Sequence, residues 1–262
     1  MRWAKIQRSV GAPLLVLLLL PLAPILVWSL ANQWQYPASW PQALGTRGWR
    51  DFFSVGGAAA VGHSIVIGTF VTLVVVPLSF IAAAAISQLK GWCLRIFEGT
   101  LLLPVLIPPF VLVIGVSAGA VAIHIPVGIG VVLTLSVLAL PYATYILRSA
   151  FSSYGSTWEE EGQLLGASKF QILIRVRIPM LQSAILAASL VAFLIGWSDY
   201  IVTLTVGGGQ ILSLPLLIGA SASAPGNDSP LAVMSLISIL IPVLIAGFVV
   251  FLAKKRGEVK SS

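Results

Sequence analysis

The sequence predicts an all-α, polytopic membrane protein with six transmembrane helices. Hydrophobic residues make up 58% of its 262 residues and charged residues only 9%, whereas a typical soluble domain carries roughly 25% charged residues. The charges are also clustered, and three long uncharged stretches run between Arg8 and Arg47, between Asp51 and Lys90, and between Glu98 and Arg148. Each stretch exceeds the ~20 apolar residues that a helix needs to cross a bilayer. A water-soluble enzyme is therefore excluded.

The apolar segments divide into six predicted spans. They cover about residues 11–30, 62–88, 99–123, 127–147, 181–206 and 231–253. The uncharged stretch 99–147 is too long for one helix, and the proline and glycine at 125–128 provide the natural turn within it. The first span follows three basic residues, as a secretory signal does. Its apolar core is longer than the ~7–15 residues of a signal peptide, so we expect it to be retained.

The basic residues predict the orientation of the chain in the membrane. If the N-terminus is cytoplasmic, the inner segments hold 13 of the 15 basic residues, and the outer segments hold only Arg47 and Arg50. Lys and Arg are enriched in cytoplasmic loops. We therefore expect both termini on the cytoplasmic side.

Two predicted non-spanning segments then lie on the outer side. Residues 31–60 are rich in aromatic residues, which settle at membrane interfaces. Residues 207–230 open with three consecutive glycines and contain the apolar piece 212–224. We interpret the second segment as a short outer or re-entrant helix.

The longest cytoplasmic segment, 148–180, is predicted to contain a helix, a turn and a second helix. In residues 158–168 the acidic residues come first, where they complement the helix dipole. Gly166 can adopt a positive φ and end this helix. A small apolar ridge accompanies it, formed by Leu164, Leu165 and Ala167.

The second helical piece of this segment, residues 170–177, is basic and leads to Pro179. From the residues alone, two interpretations stand side by side. The segment is either a compact docking element or a solvated loop whose charges match the helix dipoles.

The order of these residues carries a family resemblance. The chain reads Glu160-Glu161-Gly162, then Gly166-Ala167-Ser168, then Val176-Arg177-Ile178-Pro179. This spacing resembles the loop signature of the permease subunits of type I ATP-binding-cassette (ABC) importers, which runs from Glu-Ala-Ala through a glycine to Ile-x-Leu-Pro. The chain departs from it at Glu161 and Gly162, where the family has alanines, at Lys169 and at Ile178.

Shorter motifs in the spans also resemble this family, and with them the similarity extends from residue 1 to about 253. These motifs are His63-Ser64-Ile65, Leu103-Pro104, Ile107-Pro108-Pro109, Ser198-Asp199-Tyr200 and Leu212–Leu217. The fifth span is most similar to that of the importers of polyamines, thiamine, ferric iron and phosphonates. The resemblance implies a substrate of that kind.

The resemblance implies that the loop 155–179 is the coupling element, which docks into a groove on a separate ATPase subunit. The residues at the matching positions are Glu160, Leu164, Leu165, Gly166, Ala167 and Pro179. The chain itself has no Gly-x-x-x-x-Gly-Lys-Ser/Thr run. We therefore expect a non-catalytic transport subunit that binds no cofactor, with ATP and Mg on the partner ATPase.

The resemblance also implies the partners and the location of the chain. Six spans form half of a translocation pathway in this family, so we expect a second permease, preferably a different chain, together with an ATPase dimer and an extracytoplasmic solute-binding protein. The expected location is the bacterial cytoplasmic (inner) membrane. The net charge of +7 does not indicate nucleic acid binding, because the basic residues flank the spans instead of forming one stripe.

Asp199 is the one acidic residue predicted inside a span. A charge at membrane depth usually faces a cavity or a partner, and Thr203 lies one turn later on the same face of a continuous helix. The two side chains are therefore candidates for lining a cation pathway. The alternative is that Asp199 lies near the outer interface and bonds water or the backbone of the neighbouring Ser198.

The sequence offers no metal site, because it has a single cysteine, Cys93, and its two histidines, His63 and His124, are far apart. We interpret both histidines as polar groups at the ends of spans. The competing function is a stand-alone six-span channel or secondary transporter. That class predicts an internal repeat or several buried charges, and the sequence has neither.

Overall fold

The computed structural model describes residues 17, 19–35, 37–154, 157–223 and 228–259. Almost all regular structure in these ranges is helical. The helices are α1 (Leu22–Ser29), α2 (Arg47–Ser54), α3 (Gly57–Ile86), α4 (Gly91–Leu106), α5 (Pro109–Ala122), α6 (Val127–Tyr154), α7 (Thr157–Leu164), α8 (Lys169–Ile172), α9 (Ile178–Met180), α10 (Gln182–Ser198), α11 (Ile201–Thr205), α12 (Leu214–Ala222) and α13 (Asp228–Val259). A π-helical segment (Leu173–Arg177) joins α8 to α9, and a two-stranded antiparallel hairpin pairs β1 (Ala31–Gln33) with β2 (Ala43–Leu44).

Three of these helices, α3, α6 and α13, are long and apolar enough to cross a membrane by themselves. Two bent pairs pass the same test together. Gly91–Leu106 meets Phe110–Gly119 at 98°, and Lys169–Met180 meets Gln182–Ser198 at 74°. The described residues therefore contain three spans, or up to five if each bent pair is one span. The all-α, polytopic fold class is confirmed. The first predicted span, 11–30, lies partly outside the described residues, and its described helix is α1.

The third predicted span, 99–123, is broken in the structure at its consecutive prolines, Pro108 and Pro109. Ile107 lies between α4 and α5 with φ −79° and ψ 130°. Pro108 explains this extended conformation, because its ring clashes with a helical residue before it. A new helix, α5, begins directly after Pro108, and the Leu112 amide donates to the Pro108 carbonyl at 3.3 Å.

The fifth predicted span, 181–206, is also interrupted. Helix α10 ends at Ser198, and Asp199 has φ −75° and ψ 132° before α11 begins at Ile201. At the other end, the chain bends at Leu181, where α9 meets α10. The predicted continuous helix is thus wrong at Asp199.

Contacts group the chain into two compact units. One comprises residues 1–60 and 214–241, and the other comprises residues 61–213 and 242–262. In the first unit, the Ser229 hydroxyl donates to the Trp28 carbonyl at 3.0 Å, and the Trp28 and Trp34 rings stack 4.5 Å apart.

The core of the second unit is built along one ridge of α6. Its buried residues recur every four positions, at Val131, Leu135, Ala139, Ala143, Leu147 and Phe151. Residues four apart are neighbours on a helix surface, so they form one ridge that winds slowly around the helix. Helix α10 packs against this ridge with its own small residues, Ala188 and Ala192. Small side chains let helix backbones approach closely where the lipid supplies no hydrophobic drive for association.

Two glycines, Gly68 on α3 and Gly196 on α10, lie where these helices make a close contact. A Cβ added at Gly196 would lie 2.7 Å from the Gly68 Cα, and a Cβ added at Gly68 would lie 2.9 Å from the Phe193 ring. These distances are below van der Waals contact, so the crossing of the two helices requires that both residues lack a side chain.

We expect Gly196→Ala to lower the stability of the protein, because overpacking a close contact costs about 1–3 kcal/mol. The matched control is Gly62→Ala on α3, where nothing lies within 4 Å of the added carbon. Thermal unfolding of the detergent-solubilised protein measures both. Equal unfolding temperatures for the two variants would contradict the close crossing.

Candidate functional site

The predicted docking helix is α7, and it ends in a Schellman motif at Gly166. This residue has φ +79°, as the sequence analysis expected. The Ala167 amide donates to the Gly162 carbonyl at 3.0 Å, and the Gly166 amide donates to the Gln163 carbonyl at 2.9 Å. This pair of bonds satisfies the last carbonyls of the helix and requires a left-handed residue at Gly166.

The next helix, α8, begins immediately after this turn with a capping box. The Ser168 hydroxyl accepts from the Gln171 amide at 3.3 Å, and the Ser168 amide donates to the Gln171 side-chain oxygen at 2.8 Å. The sequence analysis missed this cap. Its signal is visible in the sequence as a serine followed three residues later by a glutamine.

The side of this helix pair that faces solvent is apolar. Leu164 is 87% exposed and Leu165 is 88% exposed, whereas Ala167 is half-buried. The inner side is packed, because Ile172 on α8 is buried and lies next to Gly162. Large apolar side chains on such an exposed turn are typical of an interaction site.

The remaining predicted coupling residues lie on the same segment. Glu160 is in the middle of α7, and its side chain lies outside the described residues. Pro179 is in α9, directly after the π-helical segment. In an α-helix, a proline ring clashes with the carbonyl four residues before it. For Pro179 that carbonyl belongs to Arg175, which lies in the π-helical segment. The wider turn of this segment moves the carbonyl away from its α-helical position.

The sequence analysis did not find the ion pair that connects the two ends of the loop. The Arg177 guanidinium donates through Nε to Glu159 Oε1 at 2.7 Å and through Nη2 to Oε2 at 2.6 Å. The partners are 18 residues apart. No helical spacing in the sequence indicates the pairing, because it depends on how the chain folds back after Gly166.

The structure brings Asp199 and Thr203 together, although not as neighbours on one continuous helix. The Asp199 carboxylate accepts from the Val202 amide at 3.3 Å, from the Thr203 amide at 2.8 Å and from the Thr203 hydroxyl at 3.0 Å. It thereby caps the N-terminus of α11, where a negative charge is favourable. The carboxylate thus bonds backbone close to it in the chain, although its partners are Val202 and Thr203 and not Ser198.

His63 lies near the start of the second predicted span, as expected for a polar group at a span end. Its Nδ1 lies 3.0 Å from the Leu212 carbonyl, and this contact needs the tautomer that carries a proton on Nδ1. Among the residues that the structure describes, no three His, Cys, Asp or Glu side chains group as a metal site would require.

Together, the apolar helices with two breaks and the capped helix pair α7–α8 define a polytopic membrane protein. The family described as "Binding-protein-dependent transport system inner membrane component" matches residues 75–257. The match covers more than half of the chain, so this protein belongs to that family of inner-membrane permeases.

Two curated relatives are similar over most of this chain. It is 25% identical over 207 residues to the trehalose transport system permease protein SugB of Mycobacterium tuberculosis (strain CDC 1551 / Oshkosh), covering 78% of this chain and 74% of that one. It is also 25% identical over 224 residues to the spermidine/putrescine transport system permease protein PotC of Haemophilus influenzae, covering 84% and 87%.

Other similarities are shorter or concern the fold alone. The chain is 24% identical over 176 residues to the inner membrane ABC transporter permease protein YcjP of Escherichia coli (strain K12), and spans 59% of its length. A chain from the crystal structure of a bacterial alginate ABC transporter with its alginate-bound periplasmic protein matches with a TM-score of 0.66 at 11% identity. That match covers 97% of this chain and 94% of the other.

We expect Gly162→Ala to stabilise α7 and Gly166→Ala to destabilise it. At Gly162 the new Cβ would lie 3.5 Å from Ile172 Cγ1, an ordinary contact, and alanine gains up to about 1 kcal/mol of helix propensity. At Gly166 the same substitution costs roughly 1–2 kcal/mol, because φ is positive. Hydrogen exchange of the α7 amides should slow in the first variant and accelerate in the second. The same direction of change in both would contradict the Schellman geometry.

Proposed function

We propose that this chain is the permease subunit of an ABC importer and that its loop 155–179 docks on a separate ATPase subunit. The observation that supports this best is the exposed leucine pair on a helix whose end is fixed by the Gly166 motif. ATP and Mg bind the partner ATPase, and this chain takes no cofactor of its own.

Each proposed coupling residue has a distinct role. Leu164 and Leu165 enter an apolar groove on the ATPase, and burial of such side chains contributes roughly 1.5–3 kcal/mol each. Gly166 sets the angle between α7 and α8. Ala167, the next residue, has a side chain small enough not to obstruct the contact with the ATPase. Glu160 complements the N-terminal dipole of α7, and Pro179 marks the return of the chain to the membrane.

The proposed assembly contains four further protein components. A second permease, preferably a different chain, completes the pathway. Two ATPase copies take up one coupling loop from each permease. An extracytoplasmic binding protein delivers the solute on the outer side, in keeping with the name of the family.

The substrate we propose is a small polar solute. The expected group of polyamines, thiamine, iron and phosphonates has support from the relative that is named as a spermidine/putrescine permease. A sugar is equally well supported by the relative named as a trehalose permease. Asp199 and Thr203 are proposed to line the pathway. The carboxylate already accepts three hydrogen bonds of the about four that its two oxygens can accept, so a further donor from either kind of substrate can still bind it.

We expect Gly166→Val to abolish ATPase association and ATP-dependent uptake while leaving membrane insertion intact. The left-handed conformation costs a residue with a Cβ about 1–2 kcal/mol, and a branched side chain clashes further. Glu160→Lys should act in the same direction but more mildly, through a dipole contribution of ~0.3–1 kcal/mol. Co-purification of the ATPase and uptake of radiolabelled spermidine and trehalose measure these effects.

Gly56→Val is the matched control for this experiment. Gly56 has φ +80° and nothing within 4 Å of its added carbon, as at Gly166, but it lies outside the loop. It should keep the ATPase bound. Normal ATPase association in the Gly166→Val variant would show that the loop is not the docking element.

The proposed orientation places both termini and the loop in the cytoplasm. We expect a cysteine at Trp40, which is 65% exposed, to react with an impermeant maleimide on intact cells. A cysteine at Leu165 and the exposed native Cys93 should react only after permeabilisation. Cys93→Ser provides the background for the two introduced cysteines. Labelling at Leu165 in intact cells would reverse the orientation.

A further inference from the structure

The loop is connected to the membrane-spanning helices through the Glu159–Arg177 ion pair. The pair is bidentate, and its side chains are only 17% and 26% exposed, respectively. Forked arginine–carboxylate pairs fix the relative orientation of the two groups as well as their distance. Glu159 belongs to α7 and Arg177 to the segment that leads into α9. The position of α7 is thus tied to the segment that re-enters the membrane.

The contact continues from Arg177 into the core of the spans. The Arg177 guanidinium carbon lies 5.8 Å from the centroid of the Phe151 ring, within the range of a cation–π interaction. Phe151 is buried at the end of α6, and the edge of its ring meets Phe80 of α3 at a centroid distance of 5.1 Å. One series of side-chain contacts therefore runs from α7 through Arg177 and α6 to α3.

Open space flanks this series on two sides. A cavity of about 480 Å³ borders Glu159, Arg177, Phe151 and the end of α3. A second cavity of about 270 Å³ borders the same ion pair together with Gln163 and Gln88. The chain itself joins α6 to α7 across residues 155–156. Helix α3, by contrast, is far from α7 in sequence, and the contacts of Arg177 and Phe151 connect the two.

We propose that the Glu159–Arg177 pair, stacked on Phe151, transmits displacement of α7 to the end of α3 that carries Phe80. This inference rests on the proposed docking of the loop on an ATPase. Glu159 and Arg177 are positioning residues: they determine how movement of the loop is passed on, and the exposed leucines determine whether the ATPase binds.

The test measures hydrogen–deuterium exchange of the full complex in lipid nanodiscs, with and without trapping by ATP, Mg and vanadate. In the native complex, trapping should change deuterium uptake in the loop peptide 157–168 and in peptides 145–154 and 80–88. In Glu159→Gln, the loop peptide and peptide 145–154, which the chain joins to it, should keep their responses, while the response of peptide 80–88 is lost.

Arg177→Lys provides a second variant that keeps the positive charge. Lysine cannot form the planar two-bond fork or stack on the ring in the same way, so the same loss is expected. The matched control is Glu98→Gln, which removes the carboxylate of the Arg148–Glu98 ion pair between α4 and α6. This change does not touch α7, and all three peptides should keep their responses.

The outcomes separate the two proposals. If trapping leaves the loop peptide unchanged in the native complex, docking on the ATPase is wrong and the transmission falls with it. If the native loop responds but peptide 80–88 does not, or if peptide 80–88 still responds in both variants, only the transmission is overturned. Loss of the response in Glu98→Gln as well would also overturn it, because any missing ion pair would then have the same effect.

Discussion

The constraint on which the structure depends is that backbone polar groups inside a membrane must be satisfied by the protein itself. A helix can break there only where the freed groups find partners. At the first break the Pro108 carbonyl accepts from the next helix, and a proline brings no amide of its own. At the second break the Asp199 carboxylate takes up two amides and a hydroxyl. The acidic residue and the interruption of the helix therefore explain each other.

The same apolar surroundings decide how the helices pack. Lipid tails are as apolar as leucine, so helices associate through close contact and not through exclusion of water. The buried ridge of α6 accordingly includes Ala139 and Ala143, and Gly68 and Gly196 meet where α3 crosses α10. Close crossings of this kind hold the helices together without requiring charged or strongly polar residues between them.

The sequence predicted the features that depend on local chemistry. The helical class, the turn at Gly166 and the ridge at Leu164 follow from composition, spacing and the special φ of glycine. The break at Ile107 agrees with the tendency of prolines to interrupt a helix. The break at Asp199 did not follow, because an aspartate is tolerated in a continuous membrane helix when neighbours satisfy it. The Glu159–Arg177 pair was also missed, since the distance between these side chains depends on the return of the chain after the turn.

The segment of α7 and α8 differs from the spans in how its polar groups are satisfied. Its polar groups are satisfied locally, by the Gly166 motif and the Ser168–Gln171 box, so α7 and α8 keep their shape without burying Leu164 and Leu165. The exposed leucines stabilise a complex only when a partner covers them and removes them from water. A segment that is ordered before the partner arrives loses less conformational entropy on binding. Local capping thus leaves the apolar side chains available and preorganises the surface that presents them.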